Sequence, residues 1–127
     1  MSKVLLDTCV IIDFLRIKDK KNSTLFKLAN QENDLAISLI SHTELYAGKS
    51  VWTNQSAQDS LKTILSGIEV INFNQKISRL AGKLRARNGI DLIDAIIAAT
   101  AINYQLPLAT LNNKHFSGIT GLDLADY

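Results

Sequence analysis

Three acidic residues stand at the ends of predicted secondary-structure elements. Asp7 closes a short apolar run at residues 4–6, and a second apolar run at 10–15 follows it directly. This pattern predicts a buried strand that turns straight into a helix. Glu44 and Asp94 each lie near the start of a predicted helix. Carboxylates in such positions are candidates for metal binding or acid–base chemistry.

Each acid also has an explanation in helix capping alone. Asp is a favoured N-cap residue, and Asp7 immediately precedes a helix. Ser41 and Glu44 have the spacing of a capping box, with Ser41 as the N-cap. Asp91 and Asp94 are spaced similarly, and the helix dipole favours an acid in the first turn. Taken singly, the three acids therefore do not establish a site.

The predicted topology brings Asp7, Glu44 and Asp94 to one edge of a sheet. Helices that flank a parallel sheet run opposite to the strands, so their N-termini lie at the strands' carboxyl ends, where ligands bind. Two carboxylates 4 Å apart repel each other by roughly 1 kcal/mol in water and about 4 kcal/mol at a dielectric constant near 20. A hard cation such as Mg²⁺ or Mn²⁺ would relieve this repulsion. The reaction that such a site serves most readily is metal-assisted hydrolysis of a phosphodiester.

The composition is that of a globular protein of one domain, which we expect to span residues 1–127. The hydrophobic fraction is 46% and the formal charge is +2, which permits a nucleic-acid partner without requiring one. The single cysteine, Cys9, is expected to be a small buried hydrophobe. Asp7 and Asp13 interrupt the first apolar run, so we expect no membrane span and a cytoplasmic location.

Strands and helices are predicted to alternate along the chain. Strands are predicted at residues 35–40, 68–73 and 108–111 after the first one, with a short last strand at 122–124. Ser41 is expected to open the helix after the second strand, and residues 53–66 to form one further helix. The fold class is therefore α/β, with a mainly parallel sheet of four to five strands flanked by helices.

Four motifs in order along the whole chain resemble those of the PIN domain family, and most closely VapC-type toxin ribonucleases. They are LLDTCVIIDFL, which carries Asp7, SLISHTELYAG, which carries Glu44, DAIIAATA, which carries Asp94, and TLNNKHF near the end. The resemblance implies a PIN fold and an RNA-cleaving activity that depends on Mg²⁺ or Mn²⁺.

The resemblance also implies roles for individual residues. Asp7, Glu44 and Asp94 correspond to the metal-binding, catalytic acids. The expected supporting residues are Thr8, Ser41, Asn112 and His115. His115 stands where other members often carry a fourth acid; metal ligation, water orientation, RNA contact and simple packing all remain open for it. As a ligand, it would favour Mn²⁺ over Mg²⁺.

The resemblance further implies an RNA substrate, of the transfer or ribosomal class, and a VapB-type antitoxin. A homodimer is also expected. Four basic residues before the Asp94 helix are candidates for binding RNA phosphates, although a solvated helix face explains them equally well: Arg79, Lys83, Arg85 and Arg87. We expect the antitoxin to cover apolar residues of the first two helices: Phe14, Leu15, Ile17, Leu25, Phe26 and Leu28.

Other functions compete with a nuclease. A phosphorelay receiver would need an acid at the end of the third strand, where Phe73 and Asn74 stand. A haloacid-dehalogenase-like phosphatase would need a second Asp where Cys9 stands. A catalytically weak PIN scaffold that binds RNA or protein remains the main alternative.

Overall fold

A parallel sheet forms the centre of the molecule. The structure is a computed structural model and describes residues 2–127. Within that range the sheet has four strands, in the spatial order β3-β2-β1-β4. The strands are β1 (Lys3–Leu6), β2 (Asp34–Ser38), β3 (Glu69–Ile71) and β4 (Leu108–Ala109). Leu6 pairs with Ala109, so Asp7 and Thr110 leave the sheet side by side.

Helices flank the sheet on both faces, which confirms the predicted α/β class. Eight α-helices lie between residues 2 and 127, and a 3₁₀ turn at Lys20–Asn22 precedes the second one. The helices are α1 (Thr8–Arg16), α2 (Thr24–Asn30), α3 (Leu39–Tyr46), α4 (Lys49–Thr53), α5 (Gln55–Leu65), α6 (Gln75–Asn88), α7 (Leu92–Tyr104) and α8 (Asn113–Phe116). In this part of the chain, every helix is too short or too polar to cross a membrane.

The strand β1 divides the core into two apolar clusters. Leu5 packs in the cluster formed with α6 and α7, whereas Val4 and Leu6 pack in the cluster formed with α1, α2 and α5. This alternation follows from the period-2 geometry of a strand, and both faces are buried because helices cover both. The helix α7 supplies six buried residues to its side, which explains the nearly uninterrupted apolar sequence of that segment.

The helix α3 begins earlier than predicted. The second strand ends at Ser38 rather than at residue 40, and the Ser38 hydroxyl accepts a hydrogen bond from the Ile40 amide at 3.3 Å. Ser38 is therefore the N-cap, and the prediction that Ser41 caps this helix is wrong. Ser41 lies inside the helix and is buried. Its side chain can thus contribute to the site rather than to the helix end.

Other element boundaries also differ from the predictions, and the third and fourth strands are shorter than the predicted ranges 68–73 and 108–111. Residues 53–66 were expected to form one helix, but Asn54 is extended and separates α4 from α5. Its side chain accepts a bond from the Ala57 amide and so caps α5. The expected strand at 122–124 is reduced to a single parallel bridge between Leu124 and Leu108.

Candidate metal centre at the carboxyl edge of the sheet

Asp7 is a buried carboxylate held by neighbouring side chains. It is 5% exposed, and its Oδ2 accepts a hydrogen bond from Thr110 Oγ1 at 2.8 Å and a weaker one from Cys9 Sγ at 3.3 Å. The Asp7 backbone occupies the N-cap position of α1, but within residues 2–127 its carboxylate makes no bond to the amides of that helix. The side chain therefore does not serve as a helix cap.

Asp94 lies in the first turn of α7, close to Asp7. Burial raises the pKa of the Asp94 carboxyl, and the negative charges of Asp7 and Asp91 raise it further. His115 opposes part of this shift, because its Nδ1 lies 3.5 Å from Asp94 Oδ2. Asp94 therefore lies beside His115 and within electrostatic reach of Asp7.

Glu44 is linked to the same edge of the sheet by the hydroxyl group of Thr8. Thr8 Oγ1 donates to Glu44 Oε1 at 2.6 Å and lies 2.8 Å from the buried Ser41 Oγ. Because α3 begins at Leu39, Glu44 lies beyond the first turn, and the capping-box interpretation is wrong. Thr8 directly follows Asp7, so this hydrogen-bonded group adjoins the end of β1.

Thr110 is a site residue that the sequence analysis did not identify. It is 2% exposed, it donates to Asp7, and its Oγ1 accepts a bond from the Asn112 amide at 3.0 Å. Asn112 thus adjoins the site through its backbone. The signal that would have revealed Thr110 is the pairing of β1 with β4, which sets the residues after both strands side by side.

Cys9 is half-buried, packs against the core and also contacts the site. Burial raises the pKa of its thiol to about 11, and the charge of Asp7 adds to the shift. The thiol is therefore protonated at neutral pH and donates to Asp7, while its sulfur accepts a bond from the Leu111 amide at 3.5 Å. This contact helps to hold the Asp7 carboxylate in place.

The chemistry of these donors fits a divalent cation of the Mg²⁺ or Mn²⁺ type. Across residues 2–127, no three His, Cys, Asp or Glu side chains are already gathered into a metal-binding group. Mg²⁺, however, is usually bound by one or two carboxylates and keeps several of its waters. Asp7 and Asp94 are such a pair. The hydrogen bonds from Cys9 and Thr110 are both accepted by Asp7 Oδ2, so Oδ1 is available to a cation.

The four candidate RNA-binding residues do not share one surface. All are exposed on α6, and Arg79, Lys83 and Arg87, spaced four residues apart, form one face. Arg85 points elsewhere, because its Nη1 donates to the Ile90 carbonyl at 2.7 Å. Nearby, Asn88 Nδ2 donates to the Gly118 carbonyl at 3.3 Å. These bonds tie the end of α6 to the segments that lead into α7 and follow α8.

The apolar surface expected to meet an antitoxin is smaller than predicted. Leu25 is 5% exposed and Leu28 is fully buried, so both belong to the core. Phe14 and Leu15 instead line an open cavity of about 560 Å³ between α1 and α5. Leu15 also lines an adjacent cavity of about 410 Å³ that reaches Glu44. The two cavities thus form a largely apolar groove that runs from these two residues to Glu44.

Comparisons with known proteins agree with this geometry. The profile of the PIN domain family matches residues 4–122. The chain is 32% identical to ribonuclease VapC19 of Mycobacterium tuberculosis over 117 residues, which cover 88% of this chain and 90% of the relative. It is 31% identical to ribonuclease VapC1 of Methanocaldococcus jannaschii, with 99% of this chain and 88% of the relative covered.

Solved structures show the same likeness. VapBC2 from Rickettsia felis, bound to a DNA fragment from its promoter, is matched with a TM-score of 0.76 at 30% identity, covering 98% of each chain. A toxin–antitoxin complex from Klebsiella pneumoniae is matched with a TM-score of 0.73 at 32% identity, covering 94% of each chain. The family profile, the relatives and the acidic edge of the sheet lead to one conclusion: the chain belongs to the PIN domain family, within its VapC-type group.

Proposed function

We propose that this chain is a metal-dependent endoribonuclease toxin that hydrolyses phosphodiester bonds in cellular RNA and is neutralised by a VapB-type antitoxin. The observation that supports the chemistry is the pairing of Asp7 and Asp94 at the carboxyl edge of the sheet. Burial and, next to it, the negative charge of Asp7 raise the pKa of Asp94, so a bound cation would be stabilised there. The expected substrates are transfer or ribosomal RNA.

Asp7, Asp94 and Glu44 would hold Mg²⁺ or Mn²⁺. When bound, such an ion activates a water and stabilises the departing oxygen. Thr110 holds the Asp7 carboxylate, and Thr8 holds that of Glu44.

The other supporting residues would position the acids or the threonines that hold them. Ser41 fixes the position of Thr8, and the Asn112 amide fixes that of Thr110. His115, exposed beside Asp94, helps to orient that carboxylate. These contacts set the acids in place before substrate arrives, which is the main requirement of such a site.

RNA phosphates would lie along Arg79, Lys83 and Arg87. These side chains share one exposed face, and the end of α6 is tied to the segments beside Asp94 and His115. Contacts of this kind position the substrate without reading its sequence. Arg85 is assigned a different role, since its guanidinium holds the turn between α6 and α7.

The antitoxin would occupy the groove lined by Phe14 and Leu15. The structural relatives include complexes of toxin with antitoxin. The groove is apolar at one end and reaches Glu44 at the other, so it suits an amphipathic segment whose basic side chain extends toward the acids. A homodimer of the toxin is part of the same proposal.

One observation favours the alternative of a catalytically weak PIN scaffold that binds RNA or protein. Over residues 2–127, the acids do not form a complete preformed metal-binding group. The two functions differ in a direct test, because a scaffold would retain RNA without cutting it.

The test is Asp7→Asn, which removes one charge and keeps the shape of the side chain. We expect a folded protein that loses RNA cleavage and toxicity by about two orders of magnitude or more. Its thermal stability in EDTA should be unchanged or higher, because a repulsion is removed. Asp13→Asn, in the middle of α1, is the matched control and should behave like the wild type. If the Asp7→Asn protein, supplied with metal, still cuts RNA at the wild-type rate, the assignment of Asp7 to the metal centre is refuted.

A further inference from the structure

The segment 123–127 lies alongside β4 and follows it toward the acidic edge. The Leu108 amide donates to the Asp123 carbonyl at 2.9 Å, and the Ala125 amide donates to the Leu108 carbonyl at 2.8 Å. Leu124 forms a parallel bridge with Leu108. Tyr127 is thereby brought level with Thr110, directly after β4.

Tyr127 makes a specific hydrogen bond at this point. Its hydroxyl donates to the Thr110 carbonyl at 3.1 Å, while its ring remains 45% exposed. A ring so exposed contributes little to the core, so the hydroxyl contact distinguishes this residue. The bond fixes the backbone of the residue whose side chain holds Asp7.

The turn after Thr110 serves both acids of the pair. Thr110 Oγ1 contacts Asp7 and accepts the Asn112 amide, and α8 then carries His115 to within 3.5 Å of Asp94. A displacement of the Thr110 carbonyl would therefore shift the Asp7 carboxylate through its hydrogen bond to Thr110. It would also shift the Asp94 carboxylate through His115.

We propose that Tyr127 is a positioning residue of the metal centre, which holds the turn that carries Thr110 and His115 against the two acids. This inference rests on the proposed function, because it assigns a second layer of residues to that same site. The role belongs to the hydroxyl group and not to the ring.

Tyr127→Phe tests the inference, with Tyr104→Phe as the matched control. Tyr104 is also 45% exposed, but it lies at the far end of α7, beside Leu106. Two quantities are measured on each purified protein: the dissociation constant for Mn²⁺ by calorimetric titration, and hydrogen exchange of the Asn112 amide without metal. Values of kcat and KM for RNA cleavage complete the comparison.

We expect Tyr127→Phe to weaken Mn²⁺ binding by about 3- to 10-fold, the range associated with one lost hydrogen bond. Exchange of the Asn112 amide should accelerate by a similar factor while amides of β1 and β2 are unchanged, and kcat should fall more than KM changes. Tyr104→Phe should match the wild type in every measurement.

Two results would overturn the inference. One is a Tyr127→Phe protein with wild-type Mn²⁺ affinity and wild-type exchange at Asn112. The other is uniform acceleration of exchange in all elements, which would mean a general loss of stability. If the wild type itself neither binds Mn²⁺ nor cuts RNA, the proposed function fails as well, so the wild-type measurements separate the two failures.

Discussion

Two of the three acids each accept a hydrogen bond from a threonine. Within residues 2–127, the third acid, Asp94, has no such threonine partner. Thr110 donates to Asp7 and Thr8 donates to Glu44, so each of these carboxylates is held by a hydroxyl group. Asp94 faces His115 at the longer distance of 3.5 Å and carries a raised pKa. Asp94 is therefore the acid whose charge most needs a cation.

The first prediction concerns the charge of Asp94 without metal. Asp94→Asn should stabilise the protein in EDTA by about 0.5 kcal/mol, or roughly 2 °C in Tm, once solvent screening is allowed for. The folded-state pKa of Asp94 is raised, so its ionisation costs stability at neutral pH. That cost disappears as the pH falls through the folded-state pKa, and the advantage of the variant should shrink accordingly.

Thermal unfolding with and without Mn²⁺ checks this prediction. Added Mn²⁺ should raise the Tm of the wild type more than that of Asp94→Asn, because the variant has lost a ligand. Asp123→Asn, at an exposed position, should show neither effect. A less stable Asp94→Asn protein in EDTA would mean that Asp94 serves the start of α7 and not a metal.

Sequence patterns predicted the acids but not all of their partners. Asp7 and Asp94 were identifiable because each lies where an apolar element begins or ends. Thr110 was not, because its role depends on the pairing of β1 with β4, which lie about a hundred residues apart. Ser41 was misassigned because Ser38, three residues earlier, is an equally good N-cap, and local sequence does not choose between them.

At the level of elements, α6 separates residues that look alike in the sequence. Arg79, Lys83 and Arg87 share a solvent-exposed face, whereas Arg85 holds the turn to α7 through the Ile90 carbonyl. Helical spacing alone places Arg85 off the common face. Its bond to Ile90 depends on how the chain turns after Gly89, whose positive φ of 67° ends the helix.

The second prediction uses this difference. Lys83→Gln or Arg87→Gln should weaken RNA binding about threefold to tenfold at low salt, and each should lower the slope of log affinity against log salt by roughly 0.7. Arg85→Gln should leave that slope unchanged and lower Tm instead, because it removes a bond that holds a turn. RNA binding to a cleavage-deficient Asp7→Asn background, titrated with salt, provides the measurement.

Lys62→Gln on α5 is the control for charge alone and should preserve both affinity and slope. The result that would contradict the assignment is an equal change of slope for Arg85→Gln and Lys83→Gln. In that case all four basic residues would belong to one phosphate-binding surface.

At the scale of the whole molecule, the surface open to a partner depends on which apolar residues the core has already buried. The sequence predicted an antitoxin surface on the first two helices, but it could not tell which of their apolar residues point inward. Leu25 and Leu28 pack in the cluster beneath α1, so a change at either would test folding. Leu15 lines both cavities of the groove and is the better probe.

The third prediction is that Leu15→Glu weakens binding of the cognate antitoxin by more than about tenfold. A buried apolar side chain of this size contributes about 1.5–3 kcal/mol, and 1.4 kcal/mol corresponds to tenfold in affinity. Co-purification and titration of the two proteins provide the measurement, and RNA cleavage by the variant alone should persist. Val70→Glu, on β3, is the control, because Val70 lines a separate cavity with Tyr104 and Leu106.

Phe26→Glu extends the same experiment to α2, where the side chain is 38% exposed. A loss of affinity there would enlarge the partner surface beyond the groove. Wild-type affinity for Leu15→Glu would show that the antitoxin binds elsewhere.

The pairing of β1 with β4 also has a consequence for synthesis of the protein. Asp7 is synthesised 103 residues before Thr110, whose hydroxyl holds its carboxylate. At ~5–20 residues per second, a ribosome needs roughly 5–20 s to bridge that interval. The nascent chain therefore carries Asp7 without this hydrogen bond until Thr110 has emerged. The acidic edge of the sheet can therefore reach its final arrangement only after β4 has left the ribosome, well after the acid of the first strand.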